Sequence, residues 1–229
     1  EIAQSEAVTG KKFVNYWIHC NFLLVEGQKM SKSLGNYYTL RDLLARGYSW
    51  REIRFLFESA HYREEQNFTF EALNAARASV ERIKNFLYTL KNVKKGRHVK
   101  EFTQLLKKSK KEFLKALADD FNMPKALASL FNFINEVNKL AAEGNLSYKD
   151  AKKSIELMLF FDKVLGLRLE EFLKEEELPD EVKRLIEERE RLRKEGKFEE
   201  ADRIREELKE KYGIILEDTK NGVIWKKIK

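Results

Sequence analysis

The chain has 229 residues, with 45 Lys or Arg against 38 Asp or Glu and a formal net charge of +7, a length that buries a sizeable core and allows one or two compact units plus an appendage. With 36% charged residues and only two prolines, Pro124 and Pro179, long uninterrupted helices are the default. Apolar runs no longer than "LMLFF" at 157–161 exclude a bilayer span, and the acidic start "EIAQSE" excludes a signal peptide, so the expectation is a soluble, cytoplasmic protein with no membrane partner.

Residues 1–40 mix short apolar runs, "FVNYWIHC" and "FLLV", with turn signals at Gly10, Gly27 and Gly35, which predicts a strand or two joined by loops. This piece is too small to bury its own apolar residues, so it reads as the edge of an α/β domain whose earlier part lies outside the sequence. Cys20 stands alone, which excludes an intrachain disulfide framework and fits a reducing compartment; beside Trp17 and Phe22 it reads as a packing residue. His19 reads as a packed or hydrogen-bonded histidine.

From residue 41 the pattern is helical. Ser49 with Glu52 makes a capping box before "WREIRFLFESAHY", and Thr69 caps a helix whose Leu73, Ala76, Val80, Ile83, Leu87 and Leu90 form one stripe. A third segment runs from about Phe102 to Ala118. Asn122 and Pro124 start a helix carrying Leu127, Leu130, Phe131, Ile134 and Val137, stopped by Gly144; Ser147 with Asp150 opens the last helix of the bundle, ending near Gly166. Residues 168–180 lack a stripe and read as a partly helical linker. A small unit follows, with charged helices at about 181–195 and 198–211 broken at Gly196, then a β-hairpin whose strands flank Thr219 to Gly222.

The positive charge is local. Residues 82–115 hold twelve Lys or Arg against Glu101 and Glu112, either a solvated helix face or a phosphate-binding surface. Residues 181–211 carry eleven acidic and eleven basic side chains, so the terminal unit is expected to bind through placed groups more than through bulk charge.

The stretch "VEGQKMSKSLGNYYTL" at 25–40 sets Lys29 and Lys32 among small hydroxylic residues and glycines. Lysine ammonium groups supply compact positive charge where a departing pyrophosphate gains negative charge, and a mobile loop can close on a nucleotide after it binds; one such partner is worth about 2.7–4 kcal/mol in a transition state.

"KMSKS" at 29–33 resembles the signature loop of class I aminoacyl-tRNA synthetases at all five positions. "EIAQSEAVTGKKFVNYWIHC", "KMSKSLGN", "IRFLFESAHYR", "LADDFNMPKALASLFNFINEVNK" and the tail "ADRIREELKEKYGIILEDTKNGVIWKKIK" together resemble cysteinyl-tRNA synthetases over essentially the whole chain. The resemblance implies a mainly α protein: a residual α/β edge of a Rossmann catalytic domain with the loop (1–40), a stem-contact connection (41–66), a helical bundle along the tRNA stem (67–167), a linker (168–180), and a small α+β anticodon-binding domain ending in a β-hairpin (181–229).

Further implications concern residues. Lys32 contacts ATP phosphates during adenylate formation, Lys29 supports it, Ser31 and Ser33 shape the loop, and Met30 approaches adenine through its backbone while its side chain anchors the loop. Glu1 matches the last zinc ligand of the family, whose other ligands are not in this sequence, so zinc belongs to the complete enzyme. Lys94, Lys95, Arg97 and Lys100 are candidate tRNA-backbone contacts, and Arg193, Phe198, Asp202 and Asp218 candidate anticodon readers: carboxylates accept from exocyclic amino groups, arginine donates, an aromatic ring stacks. Trp225 on the hairpin reads as core.

The resemblance thus implies the carboxy-terminal half of a ligase that joins cysteine to tRNA-Cys with ATP and Mg2+. No "HIGH" motif is found, so cysteine and ATP are expected to bind through the amino-terminal half and the fragment alone to be inactive. Two alternatives stay open: a freestanding tRNA-binding module or partner subunit, and a synthetase-like cysteine ligase acting on a small amine, against which the unit after residue 180 speaks.

Overall fold

The computed structural model describes residues 1–174, 179–219 and 222–227, which fall into two compact units divided after Lys174. Among them no helix is long and apolar enough to cross a membrane.

The first unit begins with a helix absent from the sequence expectation, α1 Ile2–Thr9, closed by Gly10 at φ 62° and burying none of its residues. "IAQSEAVT" has helix-forming residues but no apolar stripe, so periodicity could not find it. Residues 11–22 run along the surface, and two expectations fail there. Cys20 is exposed instead of packed, and His19 is exposed too, its ring stacked near Trp17 at 6.1 Å between centroids. Neighbours in an extended chain point apart, so aromatic company in sequence does not create a pocket.

A small sheet follows. Strand β1 Leu23–Val25 pairs antiparallel with β2 Gln28–Lys29 and parallel with β3 Gln66–Phe68, in the order β2-β1-β3. The two-residue turn between β1 and β2 has Glu26 at φ 51° and Gly27 at φ 73°, the pair of left-handed residues that a tight hairpin requires. The parallel return from β1 to β3 passes through α2 Leu40–Ala45 and α3 Trp50–Glu58, each opened by a capping box: Thr39 with Asp42, and Ser49 with Glu52.

The bundle consists of α4 Phe70–Lys91, α5 Lys100–Ala118, α6 Met123–Ala142 and α7 Tyr148–Leu165, with N-caps at Thr69, Asn122 and Ser147 where the sequence signals stood. All six stripe residues of α4 are buried, together with Phe86, in one core with Leu127, Leu130, Phe133, Ile134 and Val137 of α6. Phe113 and Phe161 stack at 4.2 Å between ring centroids in the same core. Burial of each such side chain stabilises by roughly 1.5–3 kcal/mol, and the tertiary core, more than helix propensity, holds these helices.

Past α7, Gly166 takes a left-handed φ of 62° and the Asp162 carboxylate accepts from the amides of Leu167 at 2.7 Å and Leu169 at 2.8 Å. Both leucines are fully buried, and the short α8 Glu170–Leu173 carries Phe172 and Leu173 onto the same core. Arg51 and Arg54 on α3 reach this corner, donating to the carbonyls of Leu167 and Leu165.

The second unit is a helical hairpin, α9 Asp180–Lys194 and α10 Phe198–Tyr212, followed by β4 Ile214–Thr219 paired antiparallel with β5 Gly222–Lys227. Val182, Leu208, Ile214 and Leu216 form its core. The expected turn residues Lys220 and Asn221 lie outside the described residues, as do the side chains of Asp218 and Trp225.

Candidate nucleotide loop and nucleic-acid interface

The loop after β2 is held by one side chain. Asn36 accepts from the Ser31 amide at 2.8 Å and donates to the carbonyls of Lys29 at 3.1 Å and Val25 at 3.4 Å. A carboxamide is suited to this because it carries acceptor and donors on one rigid group. Gly35, at φ 67°, closes the turn by donating to the Lys32 carbonyl at 3.2 Å. The hairpin itself docks on β3: the Glu26 amide donates to the Phe68 carbonyl at 3.0 Å and the Gly27 amide to Asn67 Oδ1 at 2.8 Å.

On this frame the side chains divide cleanly. Met30 is half-buried and packs against the main core, while the hydroxyls of Ser31 and Ser33 lie 2.7 Å apart. Lys29 and Lys32 are exposed; Lys32 Nζ sits 5.7 Å from the centroid of the Tyr37 ring, and neither ammonium forms an ion pair among the described residues. A stapled backbone thus offers two uncompensated cations to a polyanionic ligand. Asn36 was missed in the sequence, although its position directly after Gly35 marks a turn. Glu1 is exposed, and no group of three His, Cys, Asp or Glu able to hold a metal occurs among the described residues.

Lys94, Lys95 and Arg97 lie on the α4–α5 connection and Lys100 opens α5; all four are exposed. The connection is clamped onto the α6–α7 loop. The Arg97 amide donates to the Gly144 carbonyl at 3.0 Å and its Nε to Asn145 Oδ1 at 2.6 Å. Gly96 lies so close that a Cβ there would stand 2.0 Å from the Leu146 carbonyl oxygen. His98 Nδ1 is 3.0 Å from both carboxylate oxygens of Asp150, itself 1% exposed. Burial pushes the Asp150 carboxyl up, but hydrogen bonds from Ser147 and His98 outweigh it and leave the group below its usual range. The basic residues therefore sit on a rigid platform at one end of the bundle.

In the second unit Arg193 occupies the last turn of α9, Phe198 opens α10, and Asp202 lies one turn further on the same face. Phe198 is 61% exposed and Asp202 is exposed, so ring and carboxylate are both available to a ligand. The structure gathers these three at the tip of one helical hairpin.

Residues 1–78 match the model of the tRNA synthetases class I (C) catalytic domain, 112–170 the DALR domain, and 175–225 the cysteinyl-tRNA ligase anticodon binding domain. Curated cysteine--tRNA ligases align along nearly all of the chain: that of Solibacter usitatus is 42% identical over 99% of it, that of Carboxydothermus hydrogenoformans 42% over 100%, and that of Protochlamydia amoebophila 38% over 99%. The chain belongs to the cysteinyl-tRNA synthetase family. It spans about half the length of these curated relatives, 49%, 50% and 47% respectively.

The chain also shares its fold with a solved structure, the LeuRS of Agrobacterium radiobacter K84 in a LeuRS-tRNA-LeuAMS ternary complex, with a TM-score of 0.56, 17% identity, and coverage of 75% of this chain and 24% of that one. The stapled loop lies within the catalytic-domain match, the helical hairpin tip within the anticodon-domain match.

Proposed function

We propose that this chain is the carboxy-terminal, tRNA-recognising part of a cysteine--tRNA ligase and carries the enzyme's ATP loop. The observation that supports this best is the pair of exposed, unpaired ammonium groups on a loop stapled by Asn36, within a stretch that matches a class I catalytic domain and ahead of an anticodon-binding match in the same chain.

In this reading the cysteine carboxylate attacks the α-phosphorus of ATP, the bond to the bridging oxygen breaks, and pyrophosphate leaves with cysteinyl adenylate formed. Lys32, supported by Lys29, neutralises charge that grows on the departing phosphates, while Met30 anchors the loop and Ser31 and Ser33 shape its closure. A terminal ribose hydroxyl of tRNA-Cys then attacks the cysteinyl carbonyl and AMP leaves. Magnesium would accompany the nucleotide phosphates and screen their charge. Glu1 offers a single carboxylate, which does not make a zinc site, so no step is assigned to zinc.

Residues 41–66 serve as the stem-contact connection and 67–167 as the bundle along the stem, with Lys94, Lys95, Arg97 and Lys100 meeting backbone phosphates. Residues 168–180 link to 181–229, where Arg193, Phe198, Asp202 and Asp218 read the anticodon; reading unpaired bases requires placed donors, acceptors and a stacking ring.

Binding of the chain to a tRNA-Cys transcript and to a non-cognate tRNA, over a salt series and with Asp218→Ala alongside, tests the proposal. Preference for the cognate tRNA that the substitution erases is the expected result. Equal, weak binding of both with a steep salt slope removes the anticodon-reading assignment.

A further inference from the structure

Three asparagines recur along α6 at a spacing of three, Asn132, Asn135 and Asn138, and all are exposed. Asparagine is a poor choice inside a helix, because its side chain competes with the backbone for hydrogen bonds, and core packing asks for none of them. Beside them a cleft of about 430 Å³ opens between α4 and α6, lined by Ala78, Glu81, Arg82, Asn85, Thr89 and Asn138 above the buried Phe86.

One cation in the cleft is already positioned. Arg82 donates through Nη2 to Asn135 Oδ1, and its guanidinium lies over the Phe131 ring, 4.9 Å from the centroid. The carboxamides of Asn85 and Asn138 are exposed and make no side-chain hydrogen bond among the described residues.

We infer that the α4–α6 cleft is a ribose-phosphate subsite for RNA, in which Asn85 and Asn138 bond a ribose 2′-hydroxyl and Arg82 meets the adjoining phosphate. The inference rests on the tRNA-binding reading above and assigns it a second contact surface, on the side of the bundle, apart from the basic platform at its end. A carboxamide donates and accepts without charge, which is what a 2′-hydroxyl needs, and A-form RNA displays those hydroxyls in a wide, shallow groove that an open cleft can meet. A guanidinium stacked and bonded beforehand loses little freedom on meeting a phosphate. Glu81, 3.8 Å from Lys84 Nζ, directs phosphate towards the Arg82 side and leaves an acceptor for a hydroxyl. The chain's net charge of +7 suits RNA, and the cleft walls offer no exposed large apolar side chain for a protein partner.

The test measures binding of the whole chain to a tRNA-Cys transcript and to the same transcript made with 2′-fluoro pyrimidines, which keep A-form geometry and lose the hydroxyl donor. The Asn85→Ala/Asn138→Ala double variant should bind the ordinary transcript about tenfold more weakly, as expected for two lost hydrogen bonds, with an unchanged salt slope and little remaining preference over the fluorinated RNA. Arg82→Gln should lower the salt slope by about one. Helix propensity rises in the double variant, so thermal melting checks that misfolding does not explain a loss. If the double variant binds both RNAs as the parent does, the subsite is overturned, the cleft is free to serve a protein, and tRNA binding elsewhere stands. Equal loss for both RNAs overturns the hydroxyl contact. If the parent chain binds neither RNA, the inference and the reading beneath it both fail.

Discussion

The Asn36 carboxamide accepts the Ser31 amide at 2.8 Å and so closes the lysine loop across five residues. The same side chain donates to the Lys29 carbonyl at 3.1 Å, so both ends of "KMS" hang on one group. Asn36→Ala should release the loop while the helices stay intact. Trypsin cleavage after Lys29 and Lys32 should accelerate several-fold with unchanged far-ultraviolet circular dichroism. Asn36→Asp keeps the acceptor but turns a carboxylate on two carbonyl oxygens, and should give an intermediate rate.

Gly96→Ala should strain the bundle end. The new methyl would stand 2.0 Å from the Leu146 carbonyl oxygen, a backbone atom that cannot swing away, so the α4–α5 and α6–α7 connections must separate. Overpacking of this kind costs about 1–3 kcal/mol. A lowered melting temperature, with weaker tRNA binding through the displaced Lys94, Lys95 and Arg97, is expected. A variant that melts like the parent would show that the two loops are not clamped.

Glu58 sets a pH dependence. Burial pushes its carboxyl up to about 7, against the pull of Arg54, whose Nε lies 2.9 Å away, and with added repulsion from Asp162. Burial likewise raises Asp162. A folded-state value above the unfolded one means that the folded protein holds the proton more tightly, so this contribution to stability is full below pH about 4.5 and is lost as pH rises through about 7. Glu58→Gln should therefore raise the melting temperature at pH 8 and change it little at pH 5. Equal shifts at both values would sink the assignment.

Asp120 and Phe121 occupy successive left-handed conformations, φ 56° and 52°, at the turn between α5 and α6. The Asp120 carboxylate holds that turn by accepting from Arg63 Nε at 2.6 Å and from the Tyr62 hydroxyl, and His61 Nε2 lies 2.9 Å from its carbonyl oxygen. The guanidinium and the hydroxyl keep the carboxyl below its usual range. Asp120→Ala loses the clamp and the residue type that tolerates the conformation, and should move the unfolding midpoint of a urea titration to lower denaturant. Asp120→Asn keeps the tolerance and an acceptor and should cost clearly less; equal costs would mean that the clamp, not the backbone, carries the whole effect.

The local grammar of the chain was enough for the helices of the bundle. Thr69, Asn122 and Ser147 cap where the residue types said they should, and the stripe from Leu73 to Leu90 is buried because side chains three and four apart share a helix face. The identity of the lysine loop and the order of the family's blocks were legible for the same reason: they are contiguous strings. Contact between distant segments was not. Val25 meets Phe68 across a parallel ladder, Arg51 meets the Leu167 carbonyl at 2.6 Å, and Asn85 shares a cleft with Asn138, and no periodicity encodes those meetings. α1 and the exposure of Cys20 went unseen because neither carries an apolar pattern; what surrounds a residue is decided by which other segments the fold brings to it. The sequence by itself therefore determined the helices of the bundle, their caps at Thr69, Asn122 and Ser147, and the signature loop, whose causes lie within a few residues. Only the tertiary structure decided that Asn36 staples that loop, that His98 and Asp150 brace the basic platform, and that Glu58 is half-buried within the repulsion of Asp162, because hydrogen bonding and desolvation act through space and not along the chain.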